Sequence, residues 1–114
     1  MIIKAKDVPE ISEAGYPLVM KKIFYRGQHS DDISVTWVKM WGHHKKMVCH
    51  ASDRAYYIIE GQAEFQVGDD PAASVSGGDF VFVPRGVPYV FEGHITYLVM
   101  NGPAFTPGSD VELE

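Results

Sequence analysis

A chain of 114 residues has room for one domain and one hydrophobic core, which excludes a two-domain enzyme. With 46% hydrophobic and 22% charged residues, it has the profile of a folding domain rather than a disordered chain. Ten basic residues against fifteen acidic ones leave a net charge of −5, and beyond residue 54 only Arg85 is basic, so no basic, aromatic-interleaved face is expected for nucleic acid or an anionic membrane.

Eleven glycines and seven prolines cut the chain into segments of strand length. The segment Val8–Val19, broken by Pro9, Gly15 and Pro17, is expected to form an arm or an edge strand. Ile33–Trp41 is rich in β-branched and aromatic residues. Ile33, Val35, Trp37, Lys39 and Trp41 share one face, and Ser34, Thr36, Val38 and Met40 the other, so the strand is expected to be covered on both sides. The run His43-His44-Lys45-Lys46 is expected to be an exposed, hydrated loop. Alternation then points Val48 and His50 to one face and Cys49 to the other, where it packs as a small hydrophobe.

Ala55–Glu60 reads as a strand ending at Gly61, and Ala63–Val67 as one ending at the turn residues Gly68-Asp69-Asp70-Pro71. Three more follow: Phe80–Val83 before Pro84, Tyr89–Phe91 before Gly93, and Ile95–Met100 before Asn101-Gly102-Pro103. The acidic tail Pro107–Glu114 is expected to be loose. Short strands at near-regular spacing argue for an all-β barrel or sandwich, with a core at about 30–100, an N-terminal arm over 1–29 and a tail over 101–114.

Cys49 is the only cysteine, so neither an internal disulfide nor a cysteine-based zinc site is expected. The opening Met1–Glu10 lacks the apolar run of a secretory signal and no stretch reaches the length of a membrane span, so the expected location is cytoplasmic.

Gly42, His50 and Gly61 are spaced as in the first motif of the cupin family, G-x5-H-x-H-x3-4-E-x6-G, and Gly78, Pro84 and Gly86 as in its second, G-x5-P-x-G-x2-H-x3-N. The chain therefore resembles a small single-domain cupin over roughly residues 30–100. The resemblance implies a cupin-like β-barrel, a double-stranded β-helix or jelly roll of mainly antiparallel strands, that forms a homodimer; Met1–Ile3 and Leu18–Ile23 are expected to contribute to the pairing. In metal-binding cupins, three histidines and a glutamate hold a divalent ion. Here those positions fall on Val48, His50, Arg54 and Tyr89, so only His50 keeps a ligand and no metal cofactor is expected. The longer motif spacing would place Met47 and Cys49 on the first two positions, and an irregular site built from His50 with His43, His44 or His94 is the alternative.

The expected pocket lies inside the barrel and is lined by Val48, His50, Arg54, Tyr56, Tyr89 and Phe91. The fixed charge and planar fork of Arg54 suit an anionic or oxygen-rich small ligand. One reading is a non-catalytic, small-molecule-binding protein. A second is a metal-free isomerase, epimerase or cyclase, with His50 as base and Tyr89 as acid; the resemblance supplies this, since one cupin branch acts on nucleotide-linked keto sugars with such a pair. A third is a metal-dependent oxygenase or lyase with a non-standard ligand set. The ordinary structural roles stand beside these: Arg54 paired with Asp53, the tyrosines as packing residues, and His50 as a core histidine satisfied by Tyr89.

Overall fold

The computed structural model describes all 114 residues, Met1–Glu114. After a short 3-10 turn at Ala5–Asp7, the chain forms eight strands: β1 (Ile11–Ser12), β2 (Leu18–Phe24), β3 (Ser34–Cys49), β4 (Asp53–Val67), β5 (Ala73–Ser76), β6 (Phe80–Val83), β7 (Tyr89–Gly102) and β8 (Asp110–Glu112). The main path is β1-β2-β3-β7-β4-β5, with β6 on the free flank of β4 and β8 on β3. Every pairing is antiparallel, giving the all-β barrel expected from the sequence. No helix is long and apolar enough to cross a membrane.

The barrel depends on three long strands that glycines bend without ending. β4 runs through Gly61 and β7 through Gly93, so the breaks expected at these residues do not occur. A Cβ on Gly61 would lie 2.1 Å from the His94 carbonyl oxygen, and one on Gly93 would lie 2.3 Å from that of Gln62. The missing side chains let two backbones cross closely, and the register shift between Ile58 and Glu60 marks the bend. β5 had no strong sequence signal because three of its four residues are Ala or Ser.

Two regions expected to be loose are ordered together. His43-His44-Lys45-Lys46 is part of β3 rather than a loop, and the acidic tail folds onto it as β8, pairing Asp110–Glu112 with Met47–Cys49. The complementarity is electrostatic as well as backbone-based. Glu112 pairs with Lys45 at 3.7 Å, and Glu114 accepts hydrogen bonds from His43 and from the Lys46 backbone amide.

Inside, alternation buries Ser34, Val38 and Met40 on β3 and Arg54, Tyr56 and Ile58 on β4, but the other face of β3 is open rather than covered as expected, with Lys39 and Trp41 exposed. One end of the barrel is filled by an aromatic stack. Phe65 lies flat on Phe91 at 4.3 Å, Phe91 on the His44 ring at 4.5 Å, and Tyr56 meets Phe65, Phe91 and Tyr97 edge-on or tilted. Each buried ring contributes roughly 1.5–3 kcal/mol, and each pair adds about 0.5–1.5 kcal/mol beyond its burial. On the outside, Phe80 and Phe82 of β6 are 71% and 60% exposed beside Tyr57 and Ala55 of β4.

Candidate active site

The aromatic stack stops short of one end of the barrel and leaves a cavity of about 300 Å³. His44 and Met47 enter from β3, Arg54 and Tyr56 from β4, Tyr89 and Tyr97 from β7, and Asp110 from β8, while Ser12 and Glu13 border the mouth beside Lys22 of β2.

Arg54 is the centre of the inner wall. It is 5% exposed, and its three nitrogens are all engaged: Nε donates to Asn101 Oδ1 at 3.1 Å, Nη1 to the Tyr89 hydroxyl at 2.5 Å, and Nη2 to Asp110 Oδ1 at 2.9 Å. Burial opposes its charge, but Tyr56, Tyr89 and Asp110 outweigh that effect and hold its pKa above the ordinary value. Its bound neighbour Tyr89 is 1% exposed, and burial raises its pKa despite the adjacent guanidinium. The hydroxyl is therefore protonated at neutral pH and, because it accepts from Arg54, its own hydrogen is free to be donated elsewhere. Burial likewise pushes Tyr56, which lies against Tyr89, well above the ordinary value.

His44 completes the group. It is 8% exposed, stacked on Phe91 and 5.9 Å from the Tyr89 ring, centroid to centroid. Its Nδ1 lies 2.9 Å from the Lys45 carbonyl oxygen, which only accepts, so Nδ1 carries the hydrogen and Nε2 keeps its lone pair. Nε2 has no protein partner and stays reachable from the cavity. Burial is the main reason that the pKa falls from 6.5 to about 4, so the ring is neutral across the physiological range.

Of the residues expected to line the pocket, Arg54, Tyr56 and Tyr89 do so, and Phe91 supports the His44 ring from the core. Val48 and His50 do not. An extra residue in β3 lies between the pairs His44↔Phe91 and Met47↔Tyr89, so the inward side passes to Met47 and Val48 packs under β8 against Val111. His50 lies past the end of β3, exposed, with its Nδ1 near Gly86 in the loop after β6. It does not meet Tyr89, and the histidine that lines the cavity with Tyr89 is His44 rather than the expected His50. Asp110, Asn101 and Glu13 were not anticipated as pocket residues. The expected partnership of Arg54 with Asp53 is also absent, since Asp53 pairs with Arg85 at 3.3 Å.

The residues present do not fit a divalent ion. No three His, Cys, Asp or Glu side chains are arranged to hold an ion, and the irregular set does not assemble: both ring nitrogens of His43 are taken by Glu92 and Glu114, and His50 and His94 stand apart from His44 on the exposed surface. At the motif positions a buried guanidinium brings its own positive charge and holds the Asp110 oxygen that an ion would need.

The strand order and the interior cavity define a barrel of the cupin fold. Among solved structures, the chain is similar to a variant of Streptomyces PAC13 with uridine, at 17% identity and a TM-score of 0.85, covering 100% of this chain and 90% of that one. The same protein is described as a unique nucleoside dehydratase. The chain is also similar to the polyketide cyclase RemF from Streptomyces resistomycificus (18% identity, TM-score 0.81, 100% and 85% covered) and to oxalate decarboxylase from Bacillus subtilis (16%, 0.82, 97% and 31%). At these identities the likeness establishes the fold. No family model matches the sequence, and no curated protein matches it.

Proposed function

We propose that the protein binds a neutral, oxygen-rich molecule of nucleoside size in the barrel and performs metal-free acid–base chemistry on it, as a dehydratase or isomerase. The observation that carries this reading is the pairing of a neutral histidine, whose Nε2 lone pair is unpartnered, with a tyrosine whose hydroxyl is held by a buried arginine. His44 Nε2 takes a proton from the carbon beside a carbonyl. The electron pair left behind forms a carbon–carbon double bond as the bond to a β-hydroxyl breaks, and Tyr89 donates the proton that releases that hydroxyl as water. The proton on His44 then returns to the Tyr89 phenolate, whose charge Arg54 stabilises in the meantime. Where the substrate has no β-hydroxyl, return of the proton to the opposite face of the same carbon gives epimerisation, and return to the former carbonyl carbon of an α-hydroxy ketone gives isomerisation.

A neutral ligand is favoured over an anionic one because the charge of Arg54 is already balanced by Asp110. The activity of PAC13 as a nucleoside dehydratase on the same fold supports both the ligand size and the reaction class. Non-catalytic binding is the second reading, since the same cavity would hold such a ligand without turnover. Proton NMR in deuterium oxide on a panel of β-hydroxy aldehydes and ketones separates the two. Acid–base catalysis gives exchange or an unsaturated product, slowed about a hundredfold or more in His44→Gln and in Tyr89→Phe. Equal rates in wild type and both variants would refute it.

A homodimer is part of this proposal, but with its surface moved from Met1–Ile3 and Leu18–Ile23, since the latter segment is already paired with β3 as β2 and buries Leu18 in the core. Phe80 and Phe82, with Tyr57 beside them, form the outer apolar strip that a second copy would cover.

A further inference from the structure

The cavity wall is graded. Its inner end carries the buried His44, Arg54, Tyr56 and Tyr89, and its outer end is bordered by Ser12, Glu13 and Lys22, all exposed. Three carboxylates gather near that outer end. Asp110 is held by Arg54, and Glu112 accepts from the Tyr16 hydroxyl at 2.7 Å and pairs with Lys45. Glu13 alone makes no side-chain hydrogen bond or ion pair, although it faces the cavity. Lys22 is near enough for its charge to act on Glu13, yet the two form no ion pair, and the ammonium has no other partner. The Ser12 hydroxyl, at the end of β1 and next to Glu13 in the chain, is also unpartnered.

An unpaired carboxylate beside an unpaired ammonium, with a gap between them, suits a group that donates and accepts at the same point. A hydroxyl does both. Two hydroxyls on neighbouring carbons would each donate to one Glu13 oxygen while Lys22 donates to their lone pairs, the chemistry by which a single acidic residue holds ribose hydroxyls in dinucleotide sites. We propose that Ser12, Glu13 and Lys22 form a recognition rim for a vicinal diol, so that the hydroxylated part of the ligand sits at the mouth while its reacting carbonyl end lies against His44 and Tyr89. This rests on the functional reading above and adds a selectivity to it: ligands with the diol are accepted, and those lacking one hydroxyl leave a desolvated carboxylate without its donor.

Calorimetric or ligand-observed NMR titration with uridine and 2′-deoxyuridine tests it, using wild type, Glu13→Gln and Lys22→Met, with urea midpoints confirming that each variant folds. Wild type is expected to bind uridine about 10- to 100-fold more tightly than the deoxy compound, the usual effect of one hydrogen bond to a charged group. Glu13→Gln should bring uridine affinity down to near that of 2′-deoxyuridine. If wild type binds the two equally, or if Glu13→Gln weakens both by the same factor, the rim does not read the diol and the inference falls while the functional reading stands. If wild type binds neither nucleoside, the functional reading itself fails and takes the rim with it.

Discussion

Replacing His44 by Gln should change how stability responds to acid, and the size of the change follows from the site. The unfolded chain takes up a proton on this residue as the pH drops through about 6.5, whereas the folded protein does so only near 4. Between those values the unfolded state binds more protons, so stability falls with falling pH and levels off below about 4. At about 1.4 kcal/mol per pH unit, the full loss from this one residue is roughly 3 kcal/mol. His43 acts in the opposite sense: Glu114, chiefly by its hydrogen bond, raises its pKa, so its contribution is present below its ordinary pKa and lost as pH rises through the folded value. Asp53 and Glu114, whose pKa values are lowered by hydrogen bonds, lose their contributions as pH falls. These effects are common to wild type and variant and cancel in the difference. Urea unfolding at pH 7, 6, 5 and 4.5 should therefore show His44→Gln gaining on wild type by about 2 kcal/mol or more across the series. A difference that stays constant with pH would mean that His44 is not held neutral by burial, and the assignment of Nε2 as a ready base would go with it.

Three further outcomes are expected. Arg54→Met leaves Asp110 without its counter-charge; since Asp110 is a quarter exposed, the cost should be about 2–4 kcal/mol in urea unfolding, and Arg54→Met combined with Asp110→Leu should recover part of it. Gly61→Ala must fit a Cβ where the His94 carbonyl oxygen already lies, at a φ of +89°, so it should lower stability by roughly 2 kcal/mol or more; an unchanged melting temperature would mean that the strands do not cross as described. Phe80→Glu with Phe82→Glu should convert a dimer to a monomer in sedimentation velocity without unfolding it, and a mass unaffected by the pair would remove that strip as the interface.

The fold was legible in the sequence because strand patterning, turn residues and two motif spacings all pointed to one architecture, and the inward side of β4 followed directly from alternation at Arg54, Tyr56 and Ile58. The histidine was not. Continuing the even-numbered face of β3 from Val38 and Met40 leads to His44, but motif spacing favoured His50, and a four-residue basic run reads as a solvated loop. The extra residue between His44 and Met47 settles the matter through pairing geometry, which has no one-dimensional signature. Asp110 was hidden for a related reason. Its stretch is acidic and rich in turn residues, and it becomes a strand only because β3 offers an open edge with histidine and lysines beside it. Glu13 belongs to a segment cut up by proline and glycine, and its place at the mouth depends on two residues pairing with β2.

The docking of β8 on β3 affects the order of assembly. Tyr16 and Glu112 meet across 96 positions, and Arg54 waits for Asp110 across 56. During synthesis, β2, β3, β4 and β7 can emerge and pair before Asp110 does, so the guanidinium still lacks its carboxylate. Contacts so distant in sequence are slow to form. The scaffold can thus pair before the inner wall of the cavity is closed, which happens only when β8 docks on β3 and brings Asp110 to Arg54.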